Sequence, residues 1–195
     1  PWVTEEPMIA EMRLQWWRDV LEEIATGGPV RRHEVTEPLA EVLDAEGARL
    51  LQRTIEARRR DIERAPFDTS ESLLAYLGDT GGALMAASAR ALGAQDLRAA
   101  EALGTAAAVA SWLQALPALE ARGRLPLPDG RPAAVRALAR AGRAALAQAR
   151  RNRAGVAAVA RPALWPGALA GPLLRRVLAD PGCVARGTLV LPDVQ

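Results

Sequence analysis

The stretch ALGTAAAVASWLQALPAL, residues 102–119, runs for eighteen positions without a charge, in a chain that is 25% charged overall. Its length is at the edge of what spans a bilayer. Gly104, Thr105, Ser111, Gln114 and Pro117 interrupt it, and most of the rest is Ala. The segment therefore reads as the buried central helix of a bundle rather than as a membrane span. An all-α fold class follows from its surroundings. Ile occurs four times and aromatics make up 4% of the chain, so strand formers are scarce, whereas Ala, Leu, Arg and Glu are strong helix formers.

Working outward, Asp96 is positioned to cap this central helix, which should end near Pro117. Before it, Asp68 and Glu71 read as a capping box opening a helix that runs to Leu92 and stops at Gly93. A helix from about Gly47 to Arg64 turns Leu50, Leu51, Thr54, Ile55 and Ile62 inward, and Pro66 ends it. A shorter helix covers Thr36 to about Ala45. The first begins at a Thr4 cap. It carries Ile9, Met12, Trp16 and Val20 as an inward stripe, widened by Trp17, Leu21 and Ile24, and ends at Gly27-Gly28-Pro29. Downstream, GRLPLPDGRP (123–132) is a turn-rich connection. Pro132 to about Arg151 forms another helix, and prolines 162, 166, 172 and 181 leave room for one or two short helices after it. The length suits a single domain spanning residues 1–195.

Composition removes several chemistries. All 25 basic residues counted with Lys are Arg, so Schiff-base, P-loop and kinase-type lysines are absent from this sequence. The single Cys183 and single His33 cannot build a zinc site of the usual kind. His33 lies in a Gly/Pro/Arg-rich stretch without a nucleophile elbow, and reads as an exposed loop residue. A lone Cys forms no disulfide within the chain, which fits a reducing compartment. No charged n-region followed by an apolar h-region opens the sequence, which sets the expectation of a cytoplasmic protein. The chain begins at Pro1 rather than Met, which suggests residues upstream.

Charge is divided unevenly. Residues 1–80 hold 17 acids against 10 Arg, and residues 81–195 hold 6 against 15. The basic half suits an anionic partner such as nucleic acid, a lipid surface or a diphosphate, or it is simply an Arg- and Ala-rich composition. Nucleic acid is not expected, because the basic half lacks interleaved aromatics and any known reading motif.

Three segments, in order and spacing, resemble the squalene/phytoene synthase family: MRLQWWRDVLEEI (12–24), IEARRRDI with PFDTSESLLAYLGDTGGALMAASARALG (55–62 and 66–93), and LGTAAAVASWLQALPALEARGRLPLP (103–128). The resemblance covers roughly residues 4–130. It is closest to a divergent branch that includes the phytoene-synthase-like assembly factor of mitochondrial complex I. It implies an isoprenoid-synthase-type helical bundle, and in the family layout further helices precede Pro1.

Family enzymes join two prenyl diphosphates head to head. They use magnesium held by two aspartate-rich helix motifs facing each other across an apolar cavity. The spacing matters because residues four apart share one helix face, and hard Mg²⁺ prefers carboxylate oxygens. The second motif resembles QLTNILRDVxED followed by GRxYLP. Anchored on Gly123-Arg124, the present chain places Ala115 and Leu119 at the two aspartate positions. Gln114 replaces the Arg, and Ala108 and Ser111 replace a Gln and an Asn, while the packing residues Gly104 and Ala106 are kept. Glu120 is one position late, about 100° away around a helix. The first motif lies upstream of Pro1 in that layout.

The resemblance also marks Tyr76, Gly81 and Gly82 on the helix that flanks the prenyl tail. A mid-helix Gly costs about 1 kcal/mol relative to Ala, so the pair needs a reason. Room along a cavity and close helix–helix packing both supply one. Tyr76, the only Tyr, reads as a satisfied core hydroxyl. Glu56 and Asp61 match acidic family positions but read as ion-paired surface residues beside Arg58-Arg59-Arg60. Trp16 and Trp17 read as core. Arg124 is a candidate diphosphate contact.

The ligand-pocket candidates are therefore Tyr76, Gly81, Gly82, Ala108, Ser111 and Arg124, with no metal ligand and no confident catalytic residue. The leading expectation is a non-catalytic member of the family, without a cofactor, acting as an assembly or interaction factor at a membrane surface or with a protein partner. The competing expectation is an active prenyltransferase that binds prenyl diphosphate with Mg²⁺.

Overall fold

The computed structural model describes residues 6–190. Among them every regular element is helical: α1 Pro7–Thr26, α2 Thr36–Val42, α3 Ala45–Glu63, α4 Ser70–Leu77, α5 Ala83–Ala91, α6 Arg98–Glu120, α7 Pro132–Arg151, α8 Ala170–Ala179 and α9 Gly182–Ala185. A π-helical turn, Gly78–Gly82, joins α4 to α5. Two 3₁₀ segments, Arg153–Gly155 and Ala158–Gly167, lie between α7 and α8.

α6 is the central helix. It packs against α7, the π turn, α5, the second 3₁₀ segment and α8. It is the one helix among the described residues long and apolar enough to cross a membrane, and it buries Ala106, Val109, Ala110, Leu113 and Leu116 inside the bundle. Small side chains let the neighbouring backbones approach. The largest buried cluster joins these residues to Leu73 and Tyr76 of α4, Leu138 and Ala139 of α7, and Leu174 and Val177 of α8.

A second, looser region pairs α1 with α3. Val20, Leu21 and Ile24 meet Leu43 and Ala48, with Trp16, Trp17, Leu51 and Ile55 half-buried around them. The two Trp therefore support packing, as expected. The stripe does not extend to the start of α1, however. Ile9 and Met12 are 45% and 66% exposed, and Ala10 and Leu14 are the buried residues of that turn. α3 covers one side of α1 only, and its Leu50, Leu51, Thr54, Ile55 and Ile62 are themselves half-buried rather than interior.

Helix ends correct the sequence reading in three places. The Thr4 cap lies outside the described residues. α4 is capped by Thr69 and Ser72, not by Asp68 and Glu71: the Ser72 N–H donates to Thr69 Oγ1 at 3.1 Å, and the Thr69 N–H donates to Ser72 Oγ at 3.3 Å. This reciprocal box satisfies two orphan donors at once. Asp96 sits one residue before the α6 cap position, where Oδ1 accepts the Arg98 N–H at 3.1 Å. Finally, α6 does not stop at Pro117 but continues to Glu120. It ends where Gly123 adopts φ +71°, with the Gly123 N–H donating to Glu120 O and the Arg124 N–H donating to Leu119 O. This paired closure needs a left-handed residue, which Gly adopts without strain.

The predicted single helix from Asp68 to Leu92 is interrupted by the π turn at GDTGG. Side-chain hydroxyls bond carbonyls of the widened turn: Thr80 Oγ1 donates to Tyr76 O at 2.8 Å, and Thr54 Oγ1 donates to Asp79 O at 2.9 Å. Such a turn is tolerated where glycines already weaken the α-helix.

Candidate functional site

α6 carries a stripe of residues, Gly104, Ala108, Ser111, Ala115 and Leu119, spaced three or four apart and therefore on one face. Facing it are Tyr76, Thr80, Gly81, Leu84 and Ser88, which step along α4, the π turn and α5. Between them lies a cavity of about 520 Å³, within the range of small-molecule sites. Ala163 and Pro166 of the second 3₁₀ segment close one rim.

The distance between the two walls is set by glycine. A Cβ on Gly104 would stand 2.4 Å from Gly81 O and 2.8 Å from Met85 Cβ. A Cβ on Gly81 would stand 2.5 Å from Ala108 Cβ. Close packing is thus the reason for the Gly pair. Gly81 also lines the cavity, but Gly82 does not: a Cβ there would meet Thr105 Oγ1 at 2.6 Å and Glu101 O at 3.0 Å.

One end of the cavity is polar and closed on itself. The Tyr76 hydroxyl donates to Asp61 Oδ1 at 2.8 Å, and Arg58 Nη1 donates to the Tyr76 oxygen at 2.8 Å and pairs with Asp61 Oδ2 at 3.1 Å. The Asp61 side chain is only 10% exposed. It is thus an interior partner of Tyr76 and not a surface residue, whereas Glu56 does pair with Arg59 in solvent. Burial pushes the Tyr76 hydroxyl above its ordinary range, the Arg58 charge opposes this, and the Asp61 charge adds to it. Phe67 and Trp112 pack on Tyr76 with ring centres 5.2 and 5.7 Å away. The sequence expectation of a satisfied core hydroxyl describes Tyr76 well.

Arg58 is the only charged side chain among the residues lining the cavity. Ala115 and Leu119 do face it, one turn apart, where the family resemblance placed metal-binding aspartates. The donor set does not fit magnesium: it offers the hydroxyls of Tyr76, Thr80, Ser88 and Ser111, and no carboxylate. Among the described residues no group of three His, Cys, Asp or Glu stands where it could hold an ion.

Arg124 falls outside the cavity. It lines a separate hollow of about 40 Å³ with Arg60 and Arg64, screened from the cavity by Trp112 and Leu119. Its Nη2 donates to Asp61 O, 3.2 Å away, in the last turn of α3. Arginine is favourable at such a helix end because the last carbonyls lack intrahelical partners. Gly123-Arg124 therefore works as a helix stop joined to a helix cap. Gln114 points elsewhere, its Nε2 donating to Leu189 O at 3.0 Å. His33 is exposed, as expected, with its ring edge-on to Trp16. Cys183 is buried, and that burial raises its thiol pKa.

Sequence reasoning thus found Tyr76, Gly81, Ala108 and Ser111 in the lining and misplaced Gly82 and Arg124. It missed Thr80, Leu84 and Ser88, although their steps of four from Tyr76 were a usable signal. It also missed Ala163 and Pro166, which come from a segment with no readable period.

Fold and cavity together define an α-helical protein with an apolar pocket between its central helix and the kinked helix beside it. The chain belongs to the squalene/phytoene synthase family, whose model matches residues 3–130, and its bundle is of the isoprenoid-synthase type. No curated protein and no solved structure matches it significantly.

Proposed function

We propose that this chain is a non-catalytic member of the squalene/phytoene synthase family, of the divergent kind that includes the complex I assembly factor. In this reading it serves as an assembly or interaction factor on the cytoplasmic face of a membrane. The observation that carries the reading is the identity of Ala115 and Leu119 on the cavity wall. Departure of diphosphate from an allylic carbon leaves a cation and a highly charged leaving group. Without carboxylates to hold magnesium on that helix, this wall of the cavity offers no counter-charge to the leaving group. Arg58 does not substitute for a carboxylate-held metal: it is a single cation whose Nη1 is already bonded to Asp61 and Tyr76. What remains is a shaped apolar pocket beside a buried polar triad, suited to holding a hydrocarbon chain or a partner's apolar side chains without reacting with them.

The competing reading is an active prenyltransferase. The two are separated by incubating the purified full-length protein with farnesyl or geranylgeranyl diphosphate and Mg²⁺. No squalene- or phytoene-type hydrocarbon is expected, and magnesium-dependent product formation contradicts the proposal.

A further inference from the structure

Residues 130–179 contain ten Arg and not one Asp or Glu. All lie beyond the family-matched region, residues 3–130. This segment forms α7, the two 3₁₀ turns and α8, and lines most of a second cavity of about 530 Å³. It shares no lining residue with the first. Its floor is apolar, built from Leu103, Leu146, Val156 and Leu164, and Gly171 keeps the floor open. Arg150, Arg153 and Arg161 stand at the rim, all solvent-exposed.

Those three side chains form no ion pair among the described residues. The segment supplies no acid to pair them, and its only ion-paired Arg among the described residues is Arg131, whose partner Asp129 lies just before it. Asp96 packs against Gly155 near the rim, but Arg98 holds it through both carboxylate oxygens. No carboxylate lines the pocket. Three like charges above an apolar hollow repel one another and leave hydrocarbon surface wet. One kind of ligand relieves both: a head that accepts charge-assisted hydrogen bonds from guanidinium groups, attached to a tail that fills the hollow.

We infer that the pocket between α7, the 3₁₀ turns and α8 binds a single-chain anionic amphiphile. Its hydrocarbon tail lies on Leu103, Leu146 and Leu164, and its carboxylate or phosphate head meets Arg150, Arg153 and Arg161. The inference does not depend on the function of the first cavity. The same head-and-tail chemistry reaches the protein either as a free monomer or in a lipid surface; the enclosed volume selects the monomer.

The test is thermal stabilisation of the full chain by laurate and by dodecyl phosphate below their micelle-forming concentrations. Inorganic phosphate and anionic vesicles serve as separate arms. A saturable rise in Tm with both monomers is expected, with none from inorganic phosphate. Arg153→Glu with Arg161→Glu should weaken apparent affinity about tenfold or more, the size of losing charge-assisted bonds. Ala168→Trp, at an exposed lining position, should block the tail while all the Arg remain. Ala115→Trp closes the first cavity, so the shift that survives it belongs to the second. The urea midpoint of each variant reports folding separately from binding. The inference is overturned if the wild-type chain shows no shift, if only vesicles bind, or if inorganic phosphate alone gives the same shift. It also fails if the charge reversals and Ala168→Trp leave affinity intact, or if Ala115→Trp abolishes it.

Discussion

The two cavities are almost equal in size, about 520 and about 530 Å³, and opposite in character. The first lies mostly in the family-matched region, and Arg58 is the one charged residue in its lining. The second is lined mostly by residues beyond that region and carries three cations with no carboxylate. Shape and charge have separate origins here. The shape of the first cavity comes from backbone contact at Gly81 and Gly104, which remains under structural constraint whether or not a reaction occurs. Positions 115 and 119, where the resemblance placed aspartates, carry no such constraint, since an Ala and a Leu fill them within a continuous helix.

The largest expected effect tests that constraint. Gly104→Val brings a side chain onto Gly81 O and Met85 Cβ, contacts that a Cβ alone would already make at 2.4 and 2.8 Å. Overpacking against backbone should destabilise the protein by about 3 kcal/mol, read from urea unfolding. A loss under about 1 kcal/mol would show that the wall is not fixed by this approach.

Next comes the polar end of the first cavity. Tyr76→Phe removes the donor to Asp61 and the acceptor from Arg58. It should cost about 1–3 kcal/mol, because Asp61 is left largely buried with fewer partners. The same group has a pH signature. Its pKa is raised above the ordinary tyrosine value, so at pH 10.0 the folded chain should show less phenolate than a free tyrosine by ultraviolet difference titration. A group raised in the folded state supports stability fully below its unfolded pKa and loses that support as pH climbs towards the folded one. Stability should therefore begin to fall above pH 10.0, in the window between the two values. Phenolate appearing at the ordinary midpoint would place Tyr76 in water.

The smallest expected effect belongs to the second cavity. Arg153→Glu with Arg161→Glu should leave the urea midpoint unchanged, since neither side chain gives up an ion pair among the described residues. A clear drop would mean these cations hold the fold rather than await a ligand.

Much of this arrangement is legible in the sequence. The uncharged run 102–119 announces the central helix, and Gly27 and Gly93 mark helix ends as turn chemistry requires. The resemblance anchored on Gly123-Arg124 marks positions 108, 111, 115 and 119, and helical period puts them on one face. Other features are hidden. Ile9 and Met12 obey the period of α1, yet periodicity does not reveal that α3 covers only one side. Arg124 looks like an anion ligand by type and neighbour, and only the tertiary fold shows Asp61 O beside it. The π turn depends on Thr54, which is distant in sequence, supplying a hydroxyl. The second cavity could not be read, because Pro162 and Pro166 break every helical period across its wall.

Magnesium dependence of ligand binding tests the central claim most directly. The affinity of the full-length protein for a non-hydrolysable farnesyl diphosphate analogue is measured by calorimetry in Mg²⁺ and again in EDTA. With Ala115 and Leu119 in place of carboxylates, the two dissociation constants should agree. Binding about tenfold or more tighter in Mg²⁺ would mean that a metal–diphosphate site exists, and would contradict the account.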